Sequence, residues 1–461
     1  MAREPASTKP ASTQPLSTYL NTKRIFFGSA IFLAAALVGG NILLANGFGT
    51  STEQPANNSG SPESSCSTAE SSSPSPLPTP VPSPTKAPDI RVTLTAVGDI
   101  IMHSAVTDGG LTNPGEDIPV YDFDPSFQYV SSIFEASDLA IANYEGTLNG
   151  PPYTGWPSFC GPDEIADAMY TAGFRVVGTA NNHCIDKGFY GVVRTATVFR
   201  DKGFTVIGTR PDIVSPMDTI VDLDGIRIGI LNYTFETPGS TTRKSINGIP
   251  MPEGADPLIN SFNPYREAAY EKDLEVMLAR VDELRLQGAE IICMVLHWGN
   301  EYTTRSVKWQ RDMAQELSDG GVDLIIGHHP HVLEEIDVLT SSVTGKQTLV
   351  YYSLGNFLGN WAYVTNGTAG KAQDGMIARI TFVKNADGVT IEKGEYIPTF
   401  VVRLPKGWEL QHLIVPVIPA LSDPDAYQTT VEAMEASYKR TNKILGECIG
   451  TAEIPVMEAA S

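Results

Sequence analysis

Seven histidines punctuate the chain: His103, His183, His297, His328, His329, His331 and His412. All but His412 share a short motif with a carboxylate, an amide or another imidazole. Gly98-Asp99-Ile100-Ile101-Met102-His103 joins an acid to an imidazole, and Asn143-Tyr144-Glu145 carries an amide and an acid. Asn181-Asn182-His183 is followed by Asp186, and His297-Trp298-Gly299-Asn300-Glu301-Tyr302 sets Glu301 after His297. Gly327-His328-His329-Pro330-His331 groups three imidazoles around a rigid proline, and Ser353-Leu354-Gly355-Asn356-Phe357 adds another amide. Imidazole, carboxylate and amide oxygen together suit Mn, Fe or Zn without any thiolate. Two such ions about 3.5–4 Å apart clamp a phosphoryl group and generate a hydroxide nucleophile. The chemistry expected is therefore that of a divalent metal site holding one or two ions.

These residues lie far apart in sequence, so strand ends must bring them together. Arg91–Val97 alternates and is β-branched, which predicts a strand stopping at Gly98-Asp99. Apolar runs at Leu139–Ala142, Phe174–Thr179, Thr205–Ile207, Ile226–Leu231, Ile291–Leu296, Leu324–Ile326 and Thr348–Tyr352 repeat the theme. Helical patterns fall between them at Asp163–Ala172, Tyr190–Lys202, Tyr265–Gln287 and Val307–Leu317. This alternation predicts an α/β fold, layered, with central sheets covered by helices. Ligands of such sheets bind outside the carboxyl ends of the strands, and there the motifs sit. In an extended segment residues i and i+2 point the same way, so Asn143 and Glu145 share a face. Trp298, Tyr302, Phe357 and Trp361 are candidates to wall the site, and Arg305 is the nearest cation to the His297 segment. Ala378–Val383 and Thr390–Tyr396, joined through Asn385-Ala386-Asp387-Gly388, predict a β-hairpin.

Composition narrows the function. The formal net charge of the 461 residues is -21 and 42% are hydrophobic. A chain so acidic offers no basic stripe for nucleic acid, so no nucleic-acid partner is expected. An anionic substrate needs a local positive feature, which a bound divalent ion supplies. The five cysteines, Cys66, Cys160, Cys184, Cys293 and Cys448, match no zinc knuckle and no C-x-x-C pair. Outside the cytoplasm a Cys160–Cys184 disulfide is an open pairing.

The N-terminus reads as an address. Ile25–Ala45 is an apolar run long enough to cross a bilayer, preceded by Lys23 and Arg24 and followed by no Lys or Arg until Lys86. The positive-inside rule puts residues 1–24 in the cytoplasm and everything after Ala45 outside. The run is longer than a signal-peptide core and ends without a good cleavage site, so a retained single-pass anchor is expected. Residues 46–88 are rich in Ser, Pro and Thr and read as a disordered stalk. A folded domain at 89–400 and a C-terminal extension at 401–461, with one helix over Asp425–Leu445, complete the expected organisation.

The motifs G-D-I-I-M, N-Y-E-G, A-N-N-H-x-x-D-x-G, H-W-G-N-E-Y, I-I-G-H-H-P-H-V and Y-S-L-G-N-F, in that order, resemble the bacterial capsule-synthesis CapA/PgsA family, associated with poly-γ-glutamate capsule production. The resemblance covers roughly Val92 to Thr399. It implies a calcineurin-like metallophosphoesterase fold, with Asp99, Glu145, Asn182, His183, His297, His329 and His331 on metal-ligand or near-ligand positions. His103, Asn143, Asp186, Glu301, His328 and Asn356 would form the surrounding shell. His183 and His297 would be catalytic, His183 protonating a leaving group. Trp298, Tyr302 and Arg305 would meet substrate. The chain departs from the phosphoesterase pattern in the spacing of Asp99 and His103 and in having Glu145 where that pattern has a bridging Asp. The resemblance implies a hydrolase or transferase acting on an anionic envelope polymer or phosphoester. Its alternative is a non-enzymatic assembly or export factor working with membrane subunits of a capsule-synthesis complex.

Overall fold

β-Branched and apolar runs become paired strands throughout the computed structural model, which describes residues 88–239, 242–407 and 409–446. The chain begins with β1 (Ile90–Ile101), α1 (Ser104–Gly110), α2 (Asp124–Phe127), α3 (Ser131–Glu135) and β2 (Leu139–Glu145). It continues through α4 (Glu164–Thr171), β3 (Val176–Gly178), α5 (Gly188–Asp201) and β4 (Thr205–Ile207). Next come β5 (Asp218–Leu223), β6 (Ile226–Phe235), the short β7 (Ser245–Ile246), β8 (Ile249–Pro250) and β9 (Ser261–Phe262), and the long α6 (Glu267–Leu286). Then follow β10 (Ile291–His297), α7 (Lys308–Asp319), β11 (Leu324–His328), β12 (Ile336–Thr340), β13 (Gln347–Tyr351) and β14 (Asn356–Leu358). Last are β15 (Asp374–Asn385), β16 (Gly388–Lys406), β17 (Glu409–Pro416), α8 (Val417–Ser422) and α9 (Val431–Gly446).

The strands form two main sheets. One has the order β17-β16-β15-β1-β2-β3-β4, with β14 also pairing β1; the other has β12-β13-β11-β10-β6-β5, with β9 also pairing β6. Within the first, β1 to β4 run parallel. Within the second, β6, β10, β11 and β13 run parallel. The antiparallel strands β15, β5 and β12 flank these parallel cores.

Side-chain alternation decides the layering. On β10, Cys293 and Val295 face the first sheet and pack with Leu94, Ile141 and Val176, whereas Ile292, Met294 and Leu296 turn outward. The outward set is covered by Met277, Val281 and Leu284 of α6 and by Met313, Ala314 and Leu317 of α7. On the other side, Val97, Ala140, Ala142 and Val177 pack under Phe127, Phe134, Ile165, Met169 and Phe199 of α2 to α5. Each fully buried Leu, Ile or Phe contributes about 1.5–3 kcal/mol. The result is helix, sheet, sheet, helix: a layered α/β fold.

The expected hairpin forms, with Asn385 paired to Gly388. The boundary expected at residue 400 falls inside β16, and β17 carries the first sheet further, so residues 401–416 belong to the sheet. Among the described residues the C-terminal part holds two helices, α8 and α9, where one was expected. Phe400, Val402, Leu413 and Val415 pack with Val417, Ala420 and Met434 of those helices. The tail, anchor and nearly all of the stalk expected at 1–24, 25–45 and 46–88 lie outside the described residues, among which no helix is long and apolar enough to cross a membrane. Cys160, Cys184 and Cys293 are buried free thiols, so Cys160 and Cys184 are not joined.

Candidate metal centre

Parallel strands from both sheets end at one place. Asp99, near the end of β1, is in register with Asn143 of β2 and Asn356 of β14. Glu145 closes β2, and the turn after β3 carries Asn182 and His183. From the second sheet, His297 closes β10 beside His328, the last residue of β11. His328 ties the sheets together, its Nε2 lying 2.9 Å from the carbonyl oxygen of Val97. Close backbone approach makes glycine necessary at Gly98, where a Cβ would meet the Gly355 carbonyl oxygen at 2.1 Å. The turn after β11 is strained: His329 has φ 97° and His331 φ 56°. Non-glycine residues in this region cost about 1–3 kcal/mol and persist where surrounding structure holds them, often at functional sites.

Glu145 is the hub. Its Oε1 lies 4.0 Å from His183 Nε2, 3.8 Å from His297 Nε2 and 3.7 Å from His331 Nε2. The side chain is fully buried, and neither carboxylate oxygen has a hydrogen-bond partner among the described residues. His331 Nδ1 lies 3.3 Å from Asp99 Oδ2 and 3.1 Å from Asn356 Oδ1, which leaves its Nε2 toward Glu145. The Asn143 amide donates to Asp99 Oδ1 at 2.8 Å, and the His329 backbone N–H donates to Oδ2 at 3.3 Å. His183 Nδ1 and Asp186 Oδ2 are 2.8 Å apart, and the Phe159 N–H donates to the same oxygen at 2.7 Å. His297 Nε2 and Asn182 Oδ1 stand 3.1 Å apart, the spacing of two donors each about 2.1 Å from one ion.

Among the described residues, three groups of side chains offer donor atoms all within 4.8 Å of one another: Glu145, His297 and His329; Asp99, Glu145 and His331; and Glu301, His329 and His331. A buried carboxylate without a partner is costly unless a cation meets it. The donor set of carboxylate, imidazole and amide oxygen therefore fits a divalent ion of the Mn, Fe or Zn kind.

The electrostatics follow from the same geometry. Burial pushes Glu145 well above the ordinary carboxylate range, and the neighbouring Asp99 carboxylate adds to the effect while His331 opposes it. Burial would also raise Asp99, but its contacts with His331, His328 and Asn143 hold it below its ordinary value. His331 moves the other way from its neighbours: burial would lower it, yet Glu145 and Asp99 carry it up to about 9. Burial, with His331 nearby, takes His329 down to about 3 and, with His329 and His328, keeps His297 far below its usual value.

Other expected residues have different surroundings. His103 is at the rim, between Phe159 and Trp361 at ring-centroid distances of 5.1 and 4.6 Å, and its Nδ1 accepts the Asn360 N–H. Glu301 is exposed and Tyr302 half-buried, with its ring 5.9 Å from that of His331. Trp298 is not at the mouth: it is fully buried against Tyr352 and donates its indole N–H to that residue's carbonyl oxygen at 2.9 Å. As the residue after His297 it faces away from the centre, by the period of two that governs strands. Phe357 likewise packs in the core with Phe127, Phe134 and Phe174. Arg305 is exposed and makes no ion pair among the described residues.

Two contributors went unread in the sequence. Phe159 packs edge-on against both His103 and His183. His412, on β17, has Nε2 3.0 Å from Asn360 Oδ1 and so backs the residue that holds His103. Neither carries a local motif; Phe159 lies in a loop, and the run Leu413–Val415 was the only hint of a strand at His412.

The family model described as "Bacterial capsule synthesis protein PGA_cap" matches residues 93–360. The PGA biosynthesis protein CapA of Bacillus subtilis (strain 168) is 28% identical over 277 residues, covering 58% of this chain and 63% of that protein. The capsule biosynthesis protein CapA of Bacillus anthracis is 26% identical over 280 residues, covering 58% and 60%. The chain thus spans less than two thirds of the length of these relatives. Among solved structures, the calcineurin-like phosphoesterase YfkN from Bacillus subtilis aligns over 77% of this chain and 98% of that one. Its TM-score is 0.32 at 13% sequence identity.

Proposed function

From the premise that this chain belongs to the bacterial capsule synthesis protein family PGA_cap, we propose that it acts in poly-γ-glutamate or other envelope-polymer biosynthesis as a metal-dependent hydrolase or transferase. The observation that carries the reading is Glu145: a fully buried carboxylate with no hydrogen-bond partner at either oxygen among the described residues, facing three imidazole nitrogens at 3.7–4.0 Å. Asp99, Glu145, Asn182, His297, His329 and His331 would hold the ion, with His183 at its edge. A divalent ion held there would supply Lewis acidity toward a phosphoester or amide of the polymer.

The chain's own residues do the rest. Asn143 fixes Asp99, and Asn356 fixes His331 with Nε2 turned inward. Asp186, accepting from His183 Nδ1, leaves Nε2 as the atom that would take up a proton and then pass it to a leaving group. Phe159 and Trp361, both almost fully buried, keep water from the flanks of His183, His103 and His331. The sequence of residues 25–45 supports a single-pass anchor with the N-terminus in the cytoplasm and this domain outside the membrane. There an anionic polymer or phosphoester is the natural substrate class.

The test uses the purified full-length chain. It should carry Mn, Fe or Zn and cleave an activated phosphodiester, and His329→Ala should lose both properties. A protein stripped of metal that remains fully active contradicts the proposal. Wild-type capsule output from a strain carrying His329→Ala would show that catalysis at this site is dispensable, leaving a non-enzymatic assembly or export factor that works with membrane subunits.

A further inference from the structure

Five of the six side chains in the three donor groups are buried and one is not. Asp99, Glu145, His297, His329 and His331 are at most 5% exposed, whereas Glu301 is exposed and makes no hydrogen bond or ion pair among the described residues. Its carboxylate nevertheless lies within 4.8 Å of ring nitrogens of His329 and His331. The backbone around it is tied down. The Trp298 N–H donates to the His328 carbonyl at 3.1 Å, and the Tyr302 N–H donates to the Pro330 carbonyl at 2.7 Å. Tyr302 is itself in the left-handed region at φ 61°. The main chain therefore presents Glu301 at a fixed height over the centre and leaves only its side-chain torsions to move. His329 Nδ1 is buried and has no hydrogen-bond partner among the described residues.

We propose that Glu301 is an exchangeable ligand: with no substrate bound its carboxylate closes the solvent side of the metal centre, and an anionic oxygen of the substrate displaces it. The inference rests on the metal reading above and adds to it how the site opens. The charge balance favours such an exchange. Asp99 and Glu145 already supply two negative charges from within, so a third carboxylate at the mouth opposes any anion that arrives while it stays in place. If the carboxylate swings out as the anion enters, the charge at the mouth is preserved and the displaced group gains water. A substrate bearing one exposed oxyanion, a phosphodiester or a carboxylate, matches a vacated carboxylate in size and charge.

Two titrations of the full-length chain test this, one with Mn2+ and one of the Mn2+-loaded protein with inorganic phosphate. Relative to the wild type, Glu301→Gln should bind Mn2+ about 3- to 10-fold more weakly and phosphate about 3- to 10-fold more tightly, because the competing carboxylate is gone. The residue is exposed, so the thermal midpoint of the metal-free variant should match the wild type. Unchanged Mn2+ and phosphate affinities would overturn the proposal while leaving the metal centre intact. Loss of Mn2+ binding by more than 100-fold would also overturn it, since Glu301 would then be a permanent ligand. A wild-type chain that binds none of Mn2+, Fe2+ or Zn2+ would overturn both this proposal and the metal reading beneath it.

Discussion

His331 Nε2 faces Glu145 Oε1 at 3.7 Å, too far for a hydrogen bond but within the span of two donors on one ion, each about 2.1 Å away. The same ring is fixed from behind by Asp99 and Asn356. A histidine held on one side and open on the other is the arrangement that metal-binding imidazoles adopt.

The buried carboxylate at the hub makes opposite demands on the metal-free and metal-bound protein. Glu145→Gln removes a group that is costly to ionise where it lies, so the metal-free variant should be more stable than the wild type by about 1–3 kcal/mol at neutral pH. The same change should abolish the rise in thermal midpoint that excess Mn2+ or Zn2+ produces in the wild type. Calorimetric scans with and without chelator read both effects. A metal-free variant less stable than the wild type would show that Glu145 is satisfied without a cation.

Metal uptake should be linked to protons through His331. Its folded value is raised to about 9, so at neutral pH the metal-free ring is charged and must lose a proton before Nε2 can ligate. Affinity should rise by about tenfold per pH unit between pH 7 and 9 from this group and then level off. The stability sign is the reverse. In the metal-free protein the contribution of protonated His331 is fully present below its unfolded value near 6.5 and is lost as pH rises through about 9. Titrations in buffers of different ionisation enthalpy should report about one proton released per ion from His331 near pH 7.5.

Asp186 should matter for proton transfer and not for metal content. Asp186→Ala removes the acceptor that fixes the His183 tautomer, so phosphodiester cleavage should fall by about 10²- to 10³-fold. Elemental analysis of the same sample should show metal at the wild-type level. Loss of the metal together with activity would make Asp186 a structural support of the whole centre.

The C-terminal helix should be a source of stability at a distance from the centre. Asp374, fully buried at the start of β15, accepts from Arg440 and Ser437 of α9 at 2.6–2.7 Å. Arg440→Ala leaves that carboxylate without its charge partner and should cost about 3–5 kcal/mol in denaturant unfolding. Burial outweighs Arg440 and raises Asp374 to about 6. The native state therefore takes up this proton near pH 6 and the unfolded chain near 3.8, so Asp374 contributes stability that grows as pH falls from 6 to 4. Comparison with Asp374→Asn across that interval isolates the contribution.

Much of this was legible in the residues. Fully buried parallel strands read as continuous apolar runs, which is why β10 and β11 stood out, and why Asp99, Glu145, His297 and the His329-Pro330-His331 turn could be placed at strand ends. Half-exposed edge strands leave weaker patterns, so β5 and β12 passed unnoticed, as did β17, which packs under α8 and α9. The runs also carry no mark of which sheet they join. Two stacked sheets, with the first supplying Glu145 and the second His297, emerge only from pairing and packing. His328 and His329 are adjacent and chemically alike, yet one reaches Val97 and the other the centre. Strand alternation separates Trp298 from His297 in the same way, and its depth in the core depends on Tyr352, far along the chain.

The most direct test of the metal centre is anomalous X-ray scattering from crystals of the Mn2+-loaded full-length chain, recorded on both sides of the manganese edge. A peak is expected within about 2.5 Å of a carboxylate oxygen of Glu145 and of an imidazole nitrogen of His297, His329 or His331. Manganese located elsewhere, with no peak among these side chains, would contradict it.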